Sequence, residues 1–121
     1  MGDAFEHNLS HIQASSESIR ACRKAALEFG MNAREVADTW LKVFRAPSIT
    51  NRKKALVFLV RDILGHPRAS KDHRQHFERV LPGAVQQAES DKTLTQADKN
   101  EIGRTLSLLA QAGTHAAPGI Q

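Results

Sequence analysis

Tyrosine is absent, and the 121 residues hold a single cysteine, a single tryptophan and four prolines. The lone Cys22 excludes an internal disulfide and fits a reducing compartment, the nucleus or cytosol. With no Tyr, few β-branched runs and no sustained apolar/polar alternation, strand signals are missing. No apolar run approaches the length that spans a bilayer. The opening Met1-Gly2-Asp3-Ala4-Phe5-Glu6 lacks the basic-then-apolar form of a signal peptide, and Glu6 stands where myristoylation needs Ser or Thr. A glycine-rich phosphate loop is absent, and no nucleophile–base arrangement stands out, so an enzyme is not expected. Cys22 lies on an apolar stripe with no base beside it in sequence and reads as a core thiol. His7/His11 and His73/His76 have helical spacings, but no Cys or carboxylate set completes a tetrahedral site. Neither a metal nor a cofactor is expected, and the histidines read as surface or packing residues.

What is present points to one small helical domain. Hydrophobic residues make up 40% and charged residues 25%, values that support a packed core rather than disorder. At this length there is room for one core only. Lys and Arg outnumber Asp and Glu 17 to 13, a net charge of +4. That surplus favours an anionic partner (a phosphopeptide, a nucleic acid or an anionic membrane), although many small domains carry such a charge without one.

The periodicity predicts seven helices. The first runs from about Asp3 to Gln13, with Asp3 a possible N-cap. Ser15-Ser16-Glu17-Ser18 opens the second, with Ile19, Cys22, Ala26 and Phe29 on its inner face and Gly30 at its end. Asn32 with Glu35 resembles a capping box for the third, whose stripe is Val36, Trp40, Val43 and Phe44, closed by Pro47. Thr50 is expected to cap the fourth, which ends at Leu64 before Gly65 and Pro67. Ser70 starts the fifth, with Phe77, Val80 and Leu81 inside. Pro82-Gly83 is expected to separate it from a short sixth helix, Ala84 to about Glu89. Thr95 with Asp98 caps the seventh, with Ile102, Leu106 and Leu109 inside, ending near Gly113. The expected division is a domain over residues 1–113 and a flexible tail over 114–121. Short helices joined by short loops favour pairwise antiparallel packing into a bundle or a solenoid-like superhelix.

The fourth helix is the informative one. Ala55-Leu56-Val57-Phe58-Leu59-Val60, followed by Ile63-Leu64, is apolar nearly all round and requires neighbours on every side. Arg61 and Asp62 interrupt it, and charges on such a helix must be paired or reach water. Lys54, Phe58, Arg61, Asp62 and Gly65 share one side, which offers an apolar floor, an acceptor, cations and open backbone. That side suits a peptide groove; the competing reading is an internal ion pair or a satisfied helix–helix contact.

Leu56-Val57-Phe58-Leu59-Val60-Arg61-Asp62-Ile63-Leu64 resembles the signature helix of CTD-interacting domains, the readers of the C-terminal repeats of the largest RNA polymerase II subunit. The resemblance extends through Ser15-Ser16-Glu17-Ser18-Ile19, through Val36 to Lys42 with its Trp40, through His76-Phe77-Glu78-Arg79-Val80-Leu81 and through Gly103 to Leu109. It implies an all-α, right-handed superhelix of about seven to eight short helices, similar to VHS and ENTH domains. It implies a phosphopeptide-binding module acting in transcription termination, RNA 3′-end processing or dephosphorylation of the polymerase, and hence a nuclear protein. Carried over by position, Asp62 would accept a hydrogen bond from the heptad tyrosine. Phe58 would floor the ring, and Arg104 would face a phosphoserine. Arg20, Arg23 and Lys24 on the second helix and Arg68 and Lys71 after the fourth would either add phosphate affinity or form a solvated face, and Arg61 would either add a phosphate contact or pair with Asp62 and partly block the tyrosine site. The chain departs from the family pattern in Arg61, where an uncharged amide is common, in Leu109, which replaces an aromatic, and in Glu101, one turn before Arg104. The expected partner is the phosphorylated polymerase tail, bound by a monomeric domain with no membrane contact; any RNA contact is expected through other regions. The alternative is a trafficking adaptor of the VHS or ENTH kind, binding sorting signals or phosphoinositides. A direct RNA reader fits poorly, because Trp40 and the phenylalanines fall mostly on inner stripes and leave few rings for base stacking.

Overall fold

A computed structural model describes residues 2–28, 32–47 and 49–116. Among these, every regular element is helical: α1 (Gly2–Ser10), α2 (Ser16–Glu28), α3 (Ala33–Arg45), α4 (Thr50–Leu64), α5 (Lys71–Ser90) and α6 (Gln96–Ala116). The helices form two layers. The odd-numbered helices touch in the order α1–α3–α5 and the even-numbered in the order α2–α4–α6, with α5 packed along α6 to close one end. Each helix therefore neighbours the next but one, as in stacked helical repeats.

The core explains the packing. Trp40 is fully buried, lies against Phe44 at 5.0 Å, meets the edge of Phe77 at 5.9 Å and donates its indole N–H to the Leu56 carbonyl at 2.9 Å. One side chain thus joins α3, α4 and α5, burying an aromatic surface while satisfying its single donor. α4 is enclosed as its composition requires: Ala55, Leu56, Leu59, Val60 and Ile63 have no exposed surface. Cys22 is buried among apolar side chains, and burial pushes its thiol up to about 11, which keeps it an unreactive packing group.

Several helix boundaries follow the predicted caps. Asn32 accepts from the Glu35 N–H at 2.8 Å, Ser70 accepts from the His73 N–H at 3.3 Å, and Thr95 accepts from the Asp98 N–H at 3.1 Å. Others need correction. The predicted break at Pro82-Gly83 does not occur, so six helices replace the expected seven: α5 is continuous with Pro82 inside it. An interior proline removes one helical hydrogen bond and costs about 3 kcal/mol. Here Phe77, Val80 and Leu81 before it and Ala84 and Ala88 after it are all buried on one face, against α3 and α6. That continuous burial outweighs the lost bond. A Cβ at Gly83 would sit 3.2 Å from the Arg45 guanidinium, the movable end of a side chain on α3.

Thr50 does not cap α4; it is the first helical residue, and Ile49 occupies the cap position with no side-chain bond. Asp3 lies one residue inside α1, not before it, and α1 ends at Ser10. The predicted stop at Gly30 and the inner position of Phe29 lie outside the described residues. α6 continues through Gly113 to Ala116, so the expected tail overlaps the helix at 114–116, while residues 117–121 lie outside the described set.

Candidate functional site

α2 and α4 run side by side, and an open cleft of about 590 Å³ lies between the start of α2 and the end of α4. Two segments of chain shape it. The turn before α2 is held by Ser15, whose hydroxyl accepts the Ser18 N–H at 3.2 Å, and by Ser18, whose hydroxyl accepts the Gln13 N–H at 2.9 Å. Gly65 stops α4, and the loop that follows turns back through His66, whose Nδ1 accepts the Arg68 N–H at 3.1 Å. Arg74 reaches over from α5 and donates to the Leu64 carbonyl at 3.2 Å, which fixes the end of α4.

The cleft has an apolar floor and a charged wall. Ile19 and Phe58, both partly exposed, provide the floor. Arg20 and Arg23 enter from α2, and Arg61 and Asp62 from α4. Arg61 does not pair with Asp62; its guanidinium lies over the Phe58 ring at 5.4 Å. Asp62 instead accepts from Arg23 Nη1 at 3.1 Å, across the two helices. Three arginines and one carboxylate line the cleft, a surplus of two positive charges in a space large enough for a peptide side chain with its backbone.

Five of the eight predicted site residues therefore converge: Arg20, Arg23, Phe58, Arg61 and Asp62. Lys24 is exposed on α2 and Arg68 is exposed in the loop after α4, and neither lines the cleft. Arg104 lines two hollows, one between α5 and α6 with Val85, Glu89, Lys99 and Ser107 and one on α6 with Glu101 and Thr105, and no residue of these hollows belongs to the cleft.

Lys54, expected on the open side of α4, turns to α6. Its ammonium is 3.0 Å from Asp98 and 3.9 Å from Glu101, and the hydrogen bond to Asp98 raises its pKa. The cause is geometric: Lys54 lies one turn before Phe58, where α6 covers α4. Lys54 thus ties α4 to the helix that carries Arg104, and Glu101 faces a cation as well as neighbouring Arg104.

Sequence reasoning missed Ile19, expected on the inner face of α2, and also Ala14, Ser15, Ser16, His66 and Pro67, because nothing in their local pattern shows that the α1–α2 and α4–α5 turns face each other. It also missed Lys53, which is 1% exposed. Its ammonium donates to the Phe44 carbonyl, lies 3.4 Å from the Ala46 carbonyl and 3.7 Å from Asp91, and sits over the Phe44 ring. Burial pulls the Lys53 pKa below its ordinary value, partly offset by Asp91, which is itself held low chiefly by its hydrogen bond from Thr93. This cation closes the C-terminal end of α3 and is structural.

No group of three or more His, Cys, Asp or Glu is placed to hold a metal among the described residues. His11 Nδ1 lies against the His7 carbonyl, His73 completes the α5 capping box, and His76 lies beside Arg79. No helix among the described residues is long and apolar enough to cross a membrane.

The class these features define is an all-α layered module with a cationic, aromatic-floored cleft between alternate helices. The chain belongs to the CID family of CTD-interacting domains, whose model matches residues 3–117. CID domains are protein-interaction modules. No curated protein and no solved structure matches the chain.

Proposed function

We propose that this chain binds the phosphorylated C-terminal repeats of the largest RNA polymerase II subunit and acts in the nucleus, in transcription termination, RNA 3′-end processing or control of tail phosphorylation. The observation that carries the reading is the cleft itself, lined by Arg20, Arg23 and Arg61 together with Asp62 and Phe58, at the site the family resemblance selects. The layers coil as the family's right-handed superhelix, and an extended peptide follows the groove along α2 and α4.

The chemistry matches such a ligand. Phe58 and Ile19 take the tyrosine ring and the adjacent proline of a repeat by apolar burial. The Asp62 carboxylate accepts the phenol hydroxyl, which must find a partner once buried. The guanidinium groups take phosphoserine oxygens through charge-assisted bonds. Arg104, on α6 beyond Lys54, is the proposed second phosphate contact. Affinity for one repeat is modest, because an extended peptide loses conformational freedom on docking, and repeats in tandem raise it.

The test is a titration of the chain with unmodified and singly phosphorylated heptad peptides, beside phosphoinositide vesicles and single-stranded RNA. Binding to phosphorylated heptads that is weakened by Asp62→Ala supports the reading. Binding to vesicles alone would make it a trafficking adaptor, and binding to none of the heptads would end the tail assignment.

A further inference from the structure

His7 and His11 stand one helical turn apart across the end of α1, and both are exposed. Their ring centres are 4.5 Å apart, with the planes tilted by 40°. His11 Nδ1 lies 2.9 Å from the His7 carbonyl. A carbonyl only accepts, so this nitrogen carries a proton, and the neutral ring keeps its lone pair on Nε2. A backbone carbonyl on the other ring nitrogen is the support that a metal-ligating histidine commonly has. The His7 ring contacts His11 and has no hydrogen bond to a described residue. The pair thus offers one oriented lone pair and one uncommitted ring. The other histidines with described side chains lack this combination. His73 Nδ1 is taken by Ser70 and its Nε2 is buried. His76 Nδ1 lies 3.3 Å from the Arg79 guanidinium, whose charge repels a cation. His66 Nδ1 accepts the Arg68 N–H, so its Nε2 carries the proton.

We propose that His7 and His11 form an open two-histidine site for a transition-metal ion of the class that imidazole selects: zinc, copper(II) or nickel(II). Histidines four apart on one helix face are a working chelate, since the H-E-x-x-H helix of metalloproteases holds zinc with such a pair. Two rings on one tetrahedral ion have centres about 5 Å apart, from a metal–nitrogen distance of ~2.1 Å. Exposed rings at 4.5 Å reach that separation by a small side-chain rotation. Asn8 stands where the metalloprotease helix carries its glutamate, and no third ligand is placed among the described residues. The pair therefore supplies binding without a general base, and water completes the coordination. Half the ligand set of a structural zinc site implies a dissociation constant on the order of 10 µM. An ion bridging the pair also fastens the end of α1, where Leu9 and Ile12 enter the core. Neither histidine lines the cleft, so the site is separate from the proposed peptide groove.

The experiment titrates the full chain with zinc chloride, read by calorimetry and by long-range proton–nitrogen spectra of the imidazole rings. The expected result is one ion per chain at a dissociation constant on the order of 10 µM, with the His11 Nε2 signal and the His7 ring signals moving together and EDTA reversing the change. His7→Ala weakens binding by about tenfold or more. His7 is exposed and its ring supports no hydrogen bond, so this variant keeps the fold. His76→Ala leaves the affinity unchanged. The proposal is overturned if half-saturation needs more than about 1 mM zinc, if His7→Ala binds as tightly as the unaltered chain, or if the ring signals that move belong to other histidines. No peptide is involved, so these readouts stand or fall apart from the polymerase-tail reading.

Discussion

The two ends of α4 carry cations under opposite conditions. Near its start, Lys53 is enclosed and its ammonium is committed to the Phe44 and Ala46 carbonyls and to Asp91. Near its end, Arg61 is exposed over a ring and Asp62 is held by one bond from Arg23. A buried charge is tolerated only when its bonds are complete, so the first end has no capacity left for a ligand. The second end keeps bonds in reserve. Within one helix, structural charges and those proposed to bind differ in saturation rather than in residue type.

Removing Lys53 should break the comparison most severely. Lys53→Ala leaves the last carbonyls of α3 and the Asp91 carboxylate without their cation, and should lower stability by about 3 kcal/mol or more in denaturant unfolding. Heptad affinity of the folded fraction should not change. If it fell as stability did, the two ends of α4 would not be separable.

Arg104→Ala tests how far the binding region extends beyond the open end. It should weaken phosphorylated heptads by roughly 1.5–3 kcal/mol, as for a charged hydrogen bond, and leave unphosphorylated ones alone. Equal loss for both would remove Arg104 from phosphate contact. At the open end itself, Asp62→Ala should reduce peptide binding while changing stability by less than about 1 kcal/mol, because the Arg23 pair is partly exposed and screened.

The start of α5 gives a pH-dependent contrast. His73 Nδ1 accepts the Ser70 N–H at 3.1 Å, and burial pulls the ring's pKa below 6.5. The folded chain therefore binds this proton less readily than the unfolded chain. Stability from His73 is present above about pH 6.5 and is lost as pH falls through that value toward the lower folded one. The cap is worth about 1 kcal/mol. Thermal melts between pH 7.5 and 5.5 should show the loss, and His73→Gln should flatten it. The smallest effect belongs to Gly103, where an added Cβ meets nothing within 4 Å. Gly103→Ala should stabilise α6 by about 0.5–1 kcal/mol, read as a rise in melting temperature.

Much of this was legible in the sequence, for identifiable reasons. α4 declared itself central because an all-round apolar helix has only one place to go, and the caps at Asn32, Ser70 and Thr95 are local bonds that local sequence encodes. Pro82 was misread because the favourable term lay elsewhere in the chain, in the α3 and α6 surfaces that hold α5 straight. Lys54 was misplaced, and Lys53 passed over, for a related reason. Helical spacing says which residues share a face, but not which neighbour covers it. The Arg23–Asp62 contact spans 39 positions, and only the docking of α2 on α4 could reveal it.

The position of Trp40 sets what fluorescence can report. The chain has one tryptophan and no tyrosine, so emission excited at the red edge comes from a single indole packed against Phe44 and Phe77. That indole lies in the interior and is not among the cleft residues. Its spectrum should shift to the red on unfolding and remain still while a ligand fills the cleft, giving a built-in gauge of folding that stays silent to occupancy.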